Sequence, residues 1–243
     1  MQQSVFKPSY PAATGAYKVF IKGKSTWQGH KIARLQISMG NPKQDGEKLL
    51  AMTEWAAARF DRVIFIISDT LQRHNIALRH GVSIKDAHEI AMIGGHQWME
   101  RNKKAIDAVP QRIVTLWDDW LAHPEYSASR LELNELYAKD QVLQEAVAAK
   151  AFRFCKSHDP VAMATSTEFL LEEIAAIAIM LRTPAADFYA GTWLHEIYAA
   201  IARLPASELM DGFKNIYFTE VDFKRNQNSI ASATNNLILK EAS

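Results

Sequence analysis

The chain has 243 residues, 48% of them hydrophobic, enough to bury one sizeable core within the size range of a single α/β domain. Its 28 Lys and Arg against 27 Asp and Glu leave a net charge of +1, which excludes a polycation and confines any nucleic-acid surface to a local patch. A single cysteine (Cys155), no signal peptide in the opening residues and no apolar run long enough to span a bilayer predict a soluble chain of the reducing cytoplasm, with no membrane partner.

Residues 1–16 contain Pro8, Pro11 and Gly15 without periodicity and read as a flexible arm before a domain over 17–224. Tyr17–Lys22 alternates as a strand. Ile32–Ile37 and Arg62–Ile67 are short apolar runs rich in β-formers. Between them, Gly46 to Phe60 sets Leu49, Leu50, Met52, Trp55, Ala56 and Phe60 on one helical stripe. Strand, helix and strand within about forty residues make a βαβ unit, which joins parallel strands. From Asn75 the pattern turns helical, and 84–106 predicts a longer amphipathic helix broken near Gly94-Gly95. Pro110 suits the first turn of a further helix carrying Ile113, Leu116, Trp117, Trp120 and Leu121, ended by His123-Pro124. Residues 129–155 predict one helix, and Ala162–Leu181 a long buried one capped by Thr165, Ser166 or Thr167. Phe188–Gly191 reads as a short extended element or turn, Trp193–Leu204 as a helix and Lys214–Phe223 as a strand. The polar, Asn-rich stretch 225–243 reads as a tail. No repeat or linker divides the chain, so one α/β domain is expected.

Ser38 ends the first strand of the βαβ unit, and Met39-Gly40-Asn41-Pro42 cannot continue it. Open parallel sheets bind ligands beyond the carboxyl ends of their strands, so Ser38 puts a hydroxyl where such sheets do chemistry. The amides of Met39 and Gly40 are next to it for an oxyanion, and Asn41 adds a side-chain amide to hold substrate or brace the loop. A serine hydroxyl needs such help to act as a nucleophile near neutral pH.

The run Ser38-Met39-Gly40-Asn41, leading into Gly46-Glu47-Lys48-Leu49 and then Asp69-Thr70-Leu71-Gln72-Arg73-His74-Asn75, resembles the tRNA-dependent cyclodipeptide synthases. These enzymes are similar to the catalytic domains of class I aminoacyl-tRNA synthetases, and the resemblance spans about residues 30 to 200. It implies a Rossmann-like parallel sheet flanked by helices in a single domain. It also implies an aminoacyltransferase that takes two aminoacyl-tRNAs per cycle and releases a diketopiperazine. By the same resemblance, Ser38 receives the first aminoacyl group as an ester.

Glu173 stands just before the apolar run Ile174–Leu181, and an acid entering a buried helix is costly unless paired or functional. The family carries an aromatic-x-x-x-Glu pattern here, which implies that Glu173 binds the amino group of the aminoacyl moiety. Position 169 is Phe where the family usually has Tyr, so Phe169 is expected beside the substrate without a hydroxyl. Phe188-Tyr189-Ala190-Gly191 matches the family's tyrosine followed by Pro or His, which implies that Tyr189 positions the amine and relays a proton during cyclisation. Ala190 fits neither of the family's two subgroups. Asn41 is as in one of them, and GEKLL and DTLQRHN look like the proline subgroup.

The stretch GHQWMERNKKAIDAVPQR gathers Arg101, Lys103, Lys104 and Arg112, where the family has a basic helix that contacts tRNA; otherwise such a run is a solvated face. Arg73 and Arg79 either extend the patch or serve as sheet-edge or capping residues. Strand alternation puts Arg34 and Gln36 on the face of Ser38, so both are expected to line the pocket of the first amino acid and to favour a polar or acidic substrate. His74, His80, His88 and His96 recur, yet there is no HExxH or CxxC, and no GxGxxG or Walker loop; neither a metal nor a cofactor is expected. The working unit is expected to be a monomer. Two rival readings are a non-catalytic tRNA-binding protein on the same scaffold and a serine hydrolase, the latter lacking a GxSxG elbow.

Overall fold

The computed structural model describes residues 16–22, 27–191, 193–205, 211–215 and 218–226. The expected arm and tail therefore lie outside the described residues, apart from Ala16, Arg225 and Asn226. The described strands are β1 (Tyr17–Lys22), β2 (Ile32–Ile37), β3 (Arg62–Ile67), β4 (Arg112–Leu116), β5 (Ala186–Tyr189) and β6 (Phe218–Arg225). They form one sheet in the order β1-β6-β5-β2-β3-β4. Every neighbouring pair is parallel except β1 with β6. The helices among the described residues are α1 (Gly46–Ala57), α2 (Arg73–His80), α3 (Ile84–Arg101), α4 (Lys103–Asp107), α5 (Trp117–Leu121), α6 (Tyr126–Lys139), α7 (Gln141–Cys155), α8 (Pro160–Met180) and α9 (His195–Ala202). None of them is long and apolar enough to cross a membrane.

Alternation along β2 and β5 sorts the two layers. Ala33, Leu35 and Ile37 of β2 and Ala186 and Phe188 of β5 face a cluster with Leu49, Met52, Trp55 and Ala56 of α1 and Ile106 of α4. The opposite face packs against a second cluster centred on α8, with Leu133 of α6, Leu143 and Val147 of α7 and Ile197 and Ile201 of α9. Helix α8 is buried nearly all round over its second half (Ile174 to Met180), as a helix flanked by a sheet on one side and other helices on the other must be. Each of its large apolar side chains stabilises the fold by about 1.5–3 kcal/mol.

The strand order fixes where ligands go. From β2 the chain steps to β3 and β4 on one side, while β5 and β6 lie on the other, so the order reverses between β2 and β5. The crevice beyond the carboxyl ends of those two strands is the binding position of open α/β sheets. Ser38 follows β2 directly and Tyr189 closes β5, with Gln36 and Tyr189 in register.

Several local expectations are corrected. The helix expected after Pro110 is the edge strand β4 running straight into the short α5. The helix expected over 129–155 is two, because Asp140 leaves helical geometry and caps α7 by accepting from Leu143 N–H at 2.7 Å. Helix α8 starts earlier than expected, with Asp159 as its cap and Pro160 in its first turn, so Thr165, Ser166 and Thr167 lie inside it. Helix α3 runs unbroken through Gly94-Gly95. Gly95 is there for proximity: a Cβ on it would sit 2.7 Å from the Asp69 Cβ.

Candidate active site

The loop after β2 is built around two side-chain amides. Ser38 C=O accepts from Asn41 N–H at 3.1 Å, closing a four-residue turn whose third residue, Gly40, has φ +84°. Such a φ is free for glycine and strained for other residues. Fully buried Gln44 then substitutes for a missing strand neighbour: its carbonyl accepts from Ser38 N–H at 2.8 Å and its NH2 donates to Gln36 C=O. Asn41 Nδ2 donates to Ala190 C=O at 2.9 Å, tying the loop to the end of β5. The Met39 and Gly40 N–H groups have no hydrogen-bond acceptor among the described residues.

Tyr189 lines the crevice with Ser38, its hydroxyl near the Ser38 and Asn41 side chains. Burial and the nearby Glu173 charge push its phenol above the usual tyrosine range, so it stays protonated and works as a neutral donor and acceptor. Its ring folds over Gly191, where a Cβ would fall 2.4 Å from Tyr189 Cε1.

Helix α8 supplies two neighbouring acids with opposite surroundings. Burial pushes Glu172 up, but His74 and Arg73 outweigh it and hold the carboxyl below the usual range; Trp117 Nε1 also donates to it at 2.8 Å. Glu173, one residue on, has no hydrogen bond or ion pair among the described residues and lines the cavity. Burial raises it to about 7, with Lys150 pulling down and Glu172 pushing up. An unengaged carboxylate in a polar crevice is a natural partner for a substrate ammonium.

These groups share one cavity of ≈ 250 Å³, lined by Gln36, Ser38, Glu173 and Tyr189, with Phe169 and Ile177 of α8 among its apolar walls. Phe169 brings no hydroxyl, but Tyr198 of α9 does, and so do Ser68 and Ser166. Tyr198 and Gln44 carried no motif or periodicity that singled them out in the sequence.

Arg34 is the expected pocket residue that the structure turns away. It is 2% exposed and makes a two-pronged pair with Asp187, Nε to Oδ1 at 2.9 Å and Nη2 to Oδ2 at 2.8 Å, and donates to the Met180 and Thr183 carbonyls. It is absent from the cavity lining, whereas its neighbour Gln36 is there. The pair cross-links β2 and β5 immediately behind Ser38 and Tyr189.

Three of the four expected tRNA cations are held by acids, Lys103 and Arg112 sharing Asp107 and Arg101 on Asp45. Arg101 ends α3 and pairs with Asp45 at 3.0 Å, beside the Ser38 loop. Lys103 pairs with Asp107 at 3.1 Å, and exposed Lys104 has no ion pair among the described residues. Arg112 opens β4, so it stands at the amino edge of the parallel sheet, opposite the edge that carries Ser38, and pairs with Asp107 at 2.7 Å. Arg73 is taken by Glu172, while Arg79 lines the cavity.

A family model described as cyclodipeptide synthase matches residues 22–176. The chain belongs to the cyclodipeptide synthase family. Its members are tRNA-dependent aminoacyltransferases. The fold is shared with solved structures of the family. A synthase from Fluoribacter dumoffii is similar at a TM-score of 0.77 and 19% identity, over 86% of this chain and 99% of that one. A Mycobacterium tuberculosis protein described as relating these enzymes to type I tRNA synthetases is similar at 0.63 and 16%, over 88% and 96%. A synthase from Candidatus Glomeribacter gigasporarum, solved bound to Phe-tRNAPhe, is similar at 0.63 and 17%, over 81% and 89%. A search of curated proteins returned no match. Against that family, the Rossmann-like sheet, the single α/β domain and the enzyme class expected from the sequence all hold.

Proposed function

We propose that this cyclodipeptide synthase joins two aminoacyl groups, delivered on two tRNAs, through successive acyl esters on Ser38. The observation that carries this reading is the convergence of Ser38, Tyr189 and unengaged Glu173 on one cavity at the strand-order reversal. Ser38 Oγ attacks the ester carbonyl of the first aminoacyl-tRNA. The bond to the tRNA ribose oxygen breaks, and the serine proton passes to that oxygen through the Tyr189 hydroxyl. The Met39 and Gly40 N–H groups carry the oxyanion, with Asn41 holding the loop. Glu173 holds the ammonium of the bound aminoacyl group, and on its deprotonation the amine attacks the second aminoacyl-tRNA. A second tRNA leaves and a dipeptidyl ester remains on Ser38. Its free amine closes on the ester carbonyl, the ring departs and Ser38 recovers its proton. Gln36 and Phe169 bound the aminoacyl group.

On the tRNA side, Arg101 next to the catalytic loop and unpaired Lys104 are the best-placed phosphate contacts, with Lys103 released from Asp107. Every group in the cycle comes from one copy of the chain, which supports a monomer as the working unit, and the substrate pool of translation puts the work in the cytoplasm. The test is expression in a bacterial host with mass spectrometry of the medium. Diketopiperazines should appear, vanish in Ser38→Ala, and be accompanied by an acyl adduct on Ser38 in the purified enzyme. Products that persist in Ser38→Ala would sink the covalent route. Tight tRNA binding without any product would favour a binding protein, in line with Phe169 and Ala190.

A further inference from the structure

One wall of the cavity has not been used by the cycle above. Gln72, just ahead of α2, and Asn75 and Arg79 on that helix fall at i, i+3 and i+7, so one helical face turns all three into the cavity. Asn75 Nδ2 donates to Gln72 Oε1 at 2.9 Å, which leaves the Gln72 NH2 directed elsewhere. Arg79 is exposed at the mouth and has no ion pair among the described residues, unlike Arg73, Arg101 and Arg112, each held by an acid. The only other charged group in the lining is Glu173. The same lining includes apolar side chains, among them Leu71, Phe169 and Ile177.

We propose that Arg79, with the Gln72 amide, binds an anion on the substrate, and that the first amino acid loaded onto this enzyme therefore carries a carboxylate side chain. The inference rests on the synthase reading above and names its substrate class. An aminoacyl ester has an ammonium at its α-carbon, for Glu173, and an acidic side chain would put a carboxylate at the opposite end, for Arg79. The apolar walls take the methylenes between. Arginine offers two parallel N–H donors to a carboxylate, and the Gln72 NH2 adds a neutral one deeper in the wall. A tRNA phosphate offers the same anionic chemistry, and side-chain selectivity of acyl transfer separates the two sources. The carboxylate accounts for the whole polar stripe.

The test presents the purified enzyme with tRNA charged singly with Glu, Asp, Leu or Ala and reads acyl transfer to the protein by intact mass. Glu or Asp should transfer at least ten times faster than Leu. In Arg79→Gln that acidic-over-neutral ratio should fall by tenfold or more, and Arg79→Lys should restore part of it. Faster transfer of Leu or Ala by the parent enzyme overturns the proposal while leaving the synthase reading intact. A uniform loss in Arg79→Gln, with the ratio unchanged, also overturns it and assigns Arg79 to a tRNA phosphate. No transfer from any charged tRNA overturns the synthase reading itself, and this proposal with it. Arg79 is exposed, so the variants are expected to fold.

Discussion

Glu172 and Glu173 are adjacent on α8 and titrate in opposite directions, because burial raises both but only Glu172 meets His74 and Arg73, which outweigh it. For Glu172 the depressed value means stability that is present above the ordinary carboxylate range and lost as pH falls through it. For Glu173 the sign reverses. Its folded value of about 7 lies above the unfolded 4.5, so the fold holds the extra proton, and stability drops as pH rises between the two. The full loss is up to about 3 kcal/mol. Glu173→Gln should therefore melt several degrees above the parent at pH 8 and level with it at pH 4, while losing synthase activity. Equal melting at pH 8 would remove the claim that this carboxylate is held at a cost. The same ionisation should appear in kcat/KM as a limb that rises with pH near 7, and a rise centred near 4.5 would contradict it.

At the scale of elements, the end of β5 depends on a missing side chain. Gly191→Ala would drive a methyl into the Tyr189 ring, so the ring must leave Ser38 and Asn41. Turnover should fall about a hundredfold, the scale on which ångström misplacements of reacting groups act, with the circular dichroism spectrum unchanged. Near-parental turnover would show that Tyr189 need not touch Ser38. Gln44→Ala should strand Ser38 N–H and Gln36 C=O, at about 1–3 kcal/mol for each unpaired group, and thermal melting measures the sum. Gln44 was illegible in the sequence, since a glutamine in a polar loop looks solvated until its two amide bonds are seen. The βαβ unit was legible because Ile32–Ile37, Arg62–Ile67 and the stripe from Leu49 to Ala56 each show their own period. Strand β4 was not, because a five-residue edge strand feeds α5 without a turn and Ile113, Leu116, Trp117 and Trp120 then mimic one helix. The α6–α7 break was hidden because Asp140, neither Gly nor Pro, ends one helix and caps the next. Arg34 was placed on the right face of β2, but alternation says nothing of a partner 153 residues away.

For the whole molecule, a net charge of +1 means that tRNA must be met by few cations set against phosphates. The ion pairs of Arg101 and Lys103 are solvent-exposed, worth at most about 1 kcal/mol each, and yield readily to a polyanion. Arg101→Ala and Lys104→Ala should each weaken tRNA binding and lower the salt slope by about one. Arg112→Ala, at the far edge of the sheet, should change the slope least. Filter binding across a salt series checks the ranking, and a larger effect from Arg112 would relocate the tRNA path.

The register of β2 against β5 also sets a clock. Ser38 and Tyr189 are about 150 residues apart in a chain made from its amino end. At about 5–20 residues per second, the serine is made some eight to thirty seconds before the tyrosine exists. During that interval the nascent chain is surrounded by charged tRNA, yet β2 lacks the neighbour that completes the crevice. On the proposed covalent route, Ser38 meets Tyr189 only once the sheet has closed, so an unfinished chain beside charged tRNA is expected to stay inert.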